Sequence, residues 1–118
     1  MKVLVTGSKG QLGQELFKMS SKFIFEWVFT DSIMFNLFKL NDIDNFLNKT
    51  KPNLIINCAA FSSVDKAEED FYTANIINHK AVGIIAKWCE NNNSKLIHIS
   101  PDYVYDGNLL IKYKENDK

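Results

Sequence analysis

Residues 6–13 read Thr-Gly-Ser-Lys-Gly-Gln-Leu-Gly, and this stretch decides the fold predicted for the chain. The apolar run at residues 3–5 leads directly into it, and an amphipathic segment follows it. A glycine-rich turn between a strand and a helix is typical of a dinucleotide site, because free amides and the positive end of the helix dipole face the pyrophosphate there. We expect Gly7 to permit the tight turn, Gly10 to let phosphate approach the backbone, and Gly13 to let the helix pack closely. An ordinary turn between a strand and a helix is the alternative.

The composition is typical of one globular domain and excludes several classes of partner. The chain has 118 residues, of which 46% are hydrophobic and 24% charged. Its formal net charge is zero, so electrostatics favour neither nucleic acid nor an anionic membrane as a partner. Every basic side chain except the two histidines is a lysine, so the chain lacks the bidentate phosphate clamp of arginine.

Two further features bear on location and on metals. No apolar run approaches the roughly 20 residues that span a membrane, and no signal-type apolar region opens the chain, so we expect a cytoplasmic location. Cys58 and Cys89 lack the spacing of metal ligands and are expected to be buried free thiols. The sequence therefore predicts no metal site.

Strand and helix patterns alternate over the first 100 residues. Alternation of this kind predicts a Rossmann-type α/β fold, a doubly wound parallel sheet with helices on both faces, which we expect to be truncated after about five strands. One domain, residues 1–118, would form this dinucleotide-binding unit. The predicted strands are residues 2–5, 23–29, 54–58 and 95–100, with a short extended piece at 33–37. The predicted helices are residues 11–20, a helix capped near Asn41 and Asp42, and residues 70–91.

Asp31 is the candidate ribose ligand. It follows Gly13 by 18 residues, at the end of the second predicted strand. A carboxylate there accepts hydrogen bonds from the adenosine ribose hydroxyls and repels a 2′-phosphate, which favours NAD(H), with NADP(H) as the alternative cofactor. Lys9 would soften that preference by pairing with a 2′-phosphate. Asp31 could instead only begin a turn before Ser32.

Three segments together resemble a known enzyme family. They are TGSKGQLGQEL at residues 6–16, INCAAFSSVDKAEED at 56–70 and LIHISPDYVYDG at 96–107. In this order and spacing they resemble the dTDP-4-dehydrorhamnose reductases, which are extended short-chain dehydrogenases/reductases. The resemblance implies NAD(P)H-dependent reduction of the 4-keto group of dTDP-4-dehydro-L-rhamnose, giving dTDP-L-rhamnose for bacterial surface polysaccharides. It also implies a nucleotide sugar as substrate.

The resemblance implies roles for particular residues. Asn36 stands where the family commonly has an aspartate that contacts adenine, and Asn78 where the family has asparagine on a long helix. The implied cofactor-binding residues are Gly7, Gly10, Gln11, Leu12 and Gly13 at the pyrophosphate, Asp31 at the ribose, Asn36 at the adenine, and Ala59, Ala60 and Phe61 along the middle of the cofactor. Asn78 is also among the implied cofactor-binding residues. The implied substrate-binding residues are Val64, Asp65, Asp102 and Tyr103.

Two departures from the family pattern concern catalysis. Pro101 stands where the family has a threonine that orients the substrate carbonyl, and proline has neither a hydroxyl nor an amide hydrogen. The adjacent Ser100 is no automatic substitute, because neighbouring strand residues point to opposite faces. The family's catalytic tyrosine has a lysine four residues later, and none of the four tyrosines here does. We therefore assign no catalytic residue.

These departures leave three interpretations. The first is the N-terminal, cofactor-binding part of a dTDP-4-dehydrorhamnose reductase, inactive as a 118-residue chain. The second is a non-catalytic dinucleotide-binding or regulatory homologue, which Pro101 would suit. The third is another sugar-nucleotide reductase or an epimerase. Since a parallel sheet that stops early exposes an edge, we expect the chain to self-associate or to be poorly soluble, and a homodimer is an open alternative.

Overall fold

A computed structural model of the chain describes residues 1–61, 70–100 and 114–116. Within them a parallel sheet has the strand order β2-β1-β3-β4, so the central strands are β1 and β3. This arrangement confirms the predicted Rossmann-type α/β fold. The elements in chain order are β1 (Lys2–Thr6), α1 (Gln11–Ser20), β2 (Glu26–Thr30), α2 (Leu40–Thr50), β3 (Leu54–Asn57), α3 (Phe71–Asn75), a π-helical turn (Ile76–Lys80), α4 (Ala81–Asn91) and β4 (Lys95–His98).

The main hydrophobic core lies between one face of the sheet and the helices α2 and α4. Leu4 and Ile55 are adjacent in the β1–β3 register and both are fully buried. They pack in one cluster with Ile43 and Leu47 of α2 and with Ile85 of α4. Because side chains alternate along a strand, Leu4 and Ile55 face this core while their chain neighbours Val3, Val5 and Ile56 face the other side of the sheet.

Helix α1 lies on the opposite face. Val3 and Val5 are fully buried there, and the ring of Phe17 meets the ring of Phe29 edge-on, with 5.1 Å between centroids. Helices on both faces are thus confirmed. The apolar side of α1 is less covered than its pattern suggests, since Leu12 is 42% exposed and Met19 is 45% exposed.

Three local predictions are wrong. The second strand begins at Glu26 and not at residue 23, because the strand it pairs with, β1, begins at Lys2, opposite Glu26. Residues 33–37 lie in turns and not in an extended piece, since Asp31 Oδ1 accepts hydrogen bonds from the Ile33 and Met34 amides. Helix α2 begins at Leu40, and no side chain caps it, so the predicted cap at Asn41 and Asp42 is absent from this helix.

The long predicted helix of residues 70–91 is present but changes pitch. Asp70 caps its start by accepting a hydrogen bond from the Thr73 amide at 3.0 Å. The π-helical turn then places Ile76 and Ala81, five residues apart, on the buried side. Phe71, expected on the apolar face by a uniform 3.6-residue period, is 74% exposed.

Both cysteines are free thiols, with Cys89 buried and Cys58 half-buried, and burial raises the pKa of each. The described residues include no cluster of three side chains able to hold a metal ion. In the same part of the chain no helix is long and apolar enough to cross a membrane.

Candidate functional site

A groove of about 480 Å³ lies at the carboxyl end of the parallel sheet. It runs over the ends of β1, β2 and β3, where parallel α/β sheets bind ligands. The glycine turn forms one wall, the turns after β2 form a second, and the residues after β3 form a third. Its lining comprises Gly7, Lys9, Gly10, Gln11, Asp31, Ser32, Phe35, Asn36, Leu37, Cys58, Ala59, Ala60 and Ile77.

The glycine turn is held against both neighbouring strands. Gly7 has a positive φ of 68°, which residues with a side chain rarely adopt, and a Cβ there would lie 2.7 Å from the Ala59 nitrogen. A Cβ on Gly13 would overlap the Gly7 carbonyl, so α1 approaches the turn more closely than any other residue would allow. The Ser8 amide donates to the Thr30 carbonyl at 3.0 Å, which ties the turn to the end of β2.

Helix α1 begins beside the groove and has no side-chain cap. Gly10 is the residue before the helix, has an ordinary extended conformation and makes no side-chain capping bond. The amides of Gln11, Leu12 and Gly13 have no partner within the helix, because the first turn of any α-helix leaves them free. Gln11 lines the groove, and Leu12 and Gly13 follow it in the helix. Such an N-terminus favours an anionic ligand.

Asp31 stands at the end of β2 and is heavily hydrogen-bonded. Its Oδ1 accepts from the Ile33 and Met34 amides, both at 3.0 Å, and its Oδ2 lies 2.6 Å from Lys9 Nζ. The hydrogen bond from Lys9, followed by the one from the Met34 amide, lowers the pKa of Asp31 to about 2. The carboxylate is therefore ionised at neutral pH and lies in the groove beside the glycine turn.

Asn36 lies on the same wall. Its Oδ1 accepts a hydrogen bond from the Phe38 amide at 3.0 Å, which leaves its Nδ2 group to face a ligand. Phe35 and Leu37, on either side of it, are buried, and Phe35 stacks on Phe46 with 4.2 Å between ring centroids. All three residues line the groove, and Asn36 is the polar one between two apolar side chains that are anchored in the core.

The residues after β3 form the remaining wall. Ala59 and Ala60 line the groove, and their small side chains leave room beside the glycine turn. Phe61 is fixed by Asn78, whose Oδ1 accepts from the Phe61 amide at 2.8 Å and whose Nδ2 donates to the Phe61 carbonyl at 3.1 Å. Asn78 lies in the π-helical turn, so that turn holds this wall in place.

A polar row beneath the groove was missed by sequence reasoning. Thr6, Asn57 and His98 are the last residues of three adjacent strands and share one register row. The Thr6 hydroxyl donates to Asn57 Oδ1 and accepts from the Ala59 amide, and Asn57 Nδ2 lies 3.0 Å from His98 Nδ1. Because Asn57 donates to it, Nδ1 of His98 is the acceptor. A polar residue at the end of each strand was the available signal.

The predicted substrate residues Val64, Asp65, Asp102 and Tyr103 lie outside the described residues, as does Pro101. Ser100 is described and is exposed beyond the end of β4. The structure thus brings together Gly7, Gly10, Gln11, Asp31, Asn36, Ala59 and Ala60 in one groove, while Phe61 and Asn78 support its wall.

The chain is similar to known proteins over its whole length. The family model described as "RmlD substrate binding domain" matches residues 1–118. A dTDP-4-dehydrorhamnose reductase of Aggregatibacter actinomycetemcomitans is 36% identical over 117 residues, which are 98% of this chain and 40% of that relative. The chain therefore spans about 40% of the length of this relative.

Two solved structures are also similar. The dTDP-4-dehydrorhamnose reductase of Clostridium acetobutylicum superposes with a TM-score of 0.93 at 36% identity, covering 100% of this chain and 42% of that one. The reductase of Bacillus anthracis, solved in complex with NADP, gives a TM-score of 0.84 at 28% identity, covering 92% of this chain and 39% of that one.

Proposed function

Since this chain belongs to the RmlD substrate binding domain family, we propose that its groove is the dinucleotide-binding site of a dTDP-4-dehydrorhamnose reductase. The observation that carries the proposal is the convergence of the glycine turn, Asp31 and the Ala59–Ala60 wall at one end of a parallel sheet. Each of these supplies a different part of a dinucleotide site: amides for pyrophosphate, a carboxylate for ribose and a flat wall. The names of the relatives support the same ligand class.

The residues present fit a nicotinamide adenine dinucleotide. The amides at the start of α1 would hold the pyrophosphate, because Gly10, which lines the groove beside them, has no side chain to obstruct a phosphate. Asp31 would bind the adenosine ribose and the Asn36 Nδ2 group the adenine. Ala59, Ala60 and the backbone of Phe61 would line the middle of the cofactor. In its reduced form the bound cofactor supplies a hydride.

For the whole protein we propose reduction of the 4-keto group of dTDP-4-dehydro-L-rhamnose to give dTDP-L-rhamnose. That reaction requires a hydride donor, an oriented carbonyl and a proton donor in one geometry. The 118-residue chain has no tyrosine followed by lysine at the family's spacing, and Pro101 lacks the hydroxyl of the family threonine. We therefore expect the chain alone to bind the dinucleotide without reducing the sugar. The cytoplasmic location stays a prediction.

The choice between NAD(H) and NADP(H) rests on Asp31 and its surroundings. Asp31 alone favours NAD(H), as the sequence predicts, whereas a relative is solved with NADP. The ion pair between Lys9 and Asp31 supports binding of both forms, since the carboxylate is not left uncompensated.

A second candidate function is a non-catalytic dinucleotide-binding homologue. The observation in its favour is Pro101, which removes the hydroxyl expected to orient the substrate carbonyl. Both candidates predict the same groove and the same ligand. They differ in whether a protein carrying this chain together with a downstream Tyr-x-x-x-Lys pair consumes NADPH when the dTDP-4-keto sugar is added.

Calorimetric titration of the chain with NADH and NADPH tests the binding proposal. Gly10→Ala is the informative variant, because a Cβ there meets only the Gly7 carbonyl, at 3.2 Å, and a shift of that carbonyl by a few tenths of an ångström would accommodate it. The methyl group would nonetheless stand where phosphate approaches, and we expect affinity to fall at least about tenfold. Gly83→Ala is the matched control, since nothing lies within 4 Å of its Cβ position. Equal affinity in both variants would contradict the assigned site.

A further inference from the structure

Lys9 reaches across the mouth of the groove from the glycine turn to the end of β2. Its Nζ lies 2.6 Å from Asp31 Oδ2, and the side-chain exposures are 74% for Lys9 and 15% for Asp31. A lysine within the turn thus compensates the carboxylate that would bind the ribose. Within the described part of the chain it is the one cationic side chain that lines this groove.

The two oxygens of Asp31 have separate roles. Oδ1 is fixed by the Ile33 and Met34 amides, which belong to the turn that follows β2. Oδ2 is bonded to Lys9, which is exposed and has a flexible four-carbon side chain. Removal of the ammonium group would therefore leave the carboxylate in position. Lys9 sets the charge at this end of the groove without being needed to place Asp31.

From this division we infer that Lys9 determines how the groove discriminates between the two dinucleotides, and that it makes the site accept a 2′-phosphate as well as a free ribose hydroxyl. A carboxylate alone would repel a 2′-phosphate. The neighbouring ammonium group offsets that charge and can pair with phosphate as a point charge. The chain contains no arginine that could do this instead. The inference rests on the proposed dinucleotide site.

Lys9→Met tests the inference, because methionine keeps most of the length of the side chain and removes the charge. Dissociation constants for NADH and NADPH are measured by calorimetry for the wild type and the variant. We expect the wild-type constants to lie within about tenfold of each other. In the variant, affinity for NADPH should fall at least about tenfold while affinity for NADH changes less than about threefold.

Lys18→Met is the matched control. Lys18 lies on α1 and pairs with Glu15 at 2.6 Å, also on an exposed surface, but outside the groove. Its loss should leave both dissociation constants unchanged. If the ratio of the NADPH and NADH dissociation constants is the same in Lys9→Met as in the wild type, the inference about Lys9 is overturned and the proposed dinucleotide site is not. A wild-type chain that binds neither dinucleotide would overturn the proposed function, and the inference with it.

Discussion

At the scale of single residues, the site depends on a few polar groups whose partners are backbone atoms. Asp31 accepts hydrogen bonds from the amides of the turn that follows it, and Asn78 makes two hydrogen bonds to Phe61. Backbone partners fix a side chain in one orientation, because they belong to elements that are themselves held by the sheet. The groove is therefore preorganised by hydrogen bonds that do not involve the ligand.

Asn78→Ala should loosen the wall after β3. The substitution leaves the Phe61 amide and carbonyl without their side-chain partners, so we expect the free energy of unfolding to fall by about 1–3 kcal/mol. Affinity for NADH should fall as well, although Asn78 acts here through Phe61. Denaturant unfolding and amide hydrogen exchange at Phe61 measure the two effects. Asn41→Ala, an exposed position of α2, is the control, and equal exchange rates at Phe61 in both variants would refute this role.

Asp31 should make stability sensitive to acid. Its pKa in the folded chain is about 2, below its ordinary value of 3.8, so its ionised form is stabilised by folding. The contribution of ionised Asp31 to the free energy of unfolding is complete above pH 4 and is lost as the pH falls toward 2. We expect the stability difference between wild type and Asp31→Asn to shrink over this interval. A difference that stays constant in denaturant unfolding from pH 5 to 2 would show that Asp31 is not stabilised as described.

At the scale of elements, the close approach of α1 to the glycine turn is the central contact. The Cβ of an alanine at position 13 would overlap the Gly7 carbonyl and lie 2.7 Å from the Ser8 Cα, both of which are backbone atoms. Backbone cannot rotate away as a flexible side chain can. The spacing of helix and strand at the groove is therefore set by the absence of a side chain at this position.

Gly13→Ala should lower the free energy of unfolding by about 1–3 kcal/mol or more, because α1 must move away from the turn. Gly83→Ala, on the exposed side of α4, should raise it by about 0.5–1 kcal/mol through helix propensity alone. Urea titrations of the two variants compare the same chemical change in two environments. Equal effects would mean that α1 does not pack as closely as described.

Local sequence signals predicted which helices and strands are present better than they predicted where each one begins and ends. The glycine turn, the apolar run of β1 and the pattern of α2 are local, and their positions are confirmed. The start of β2 depends on where its partner β1 begins, and the π-helical turn depends on how Ile76 and Ala81 meet the core. The row of Thr6, Asn57 and His98 requires the strand register, which no single segment contains.

At the scale of the whole molecule, the two faces of the sheet are unequally covered. Helices α2 and α4 bury one face completely at Leu4 and Ile55, whereas Ile97 of β4, which faces the other way, is 48% exposed. Phe17 of α1, on that second face, is 62% exposed. Among the described strands, β4 pairs only with β3 and forms an edge. Exposed apolar side chains beside an open edge favour association between chains.

The 118-residue chain should therefore sediment as dimers or larger species at micromolar concentration. Ile97→Lys should shift the distribution toward the monomer, because it places a charge on the incompletely covered face. Ile33→Lys is the control, since Ile33 is 85% exposed in the turn after β2, away from that face. Sedimentation velocity of a wild-type chain that is monomeric throughout would count against this view of the exposed face.

The most direct test of the proposed site is residue-resolved NMR of the isotope-labelled chain during titration with NADH. If the groove is the dinucleotide site, the largest shifts should be those of the amide signals that surround it. These are the signals of Gly7, Gly10, Gln11, Leu12 and Gly13 in the glycine turn, and of Ser32, Asn36, Ala59 and Ala60 on the other walls. Signals from the far end of the sheet, such as Asn53 and Ser94, should stay in place. Shifts confined to that far end, or no shifts at millimolar NADH, would contradict a dinucleotide site at the glycine turn.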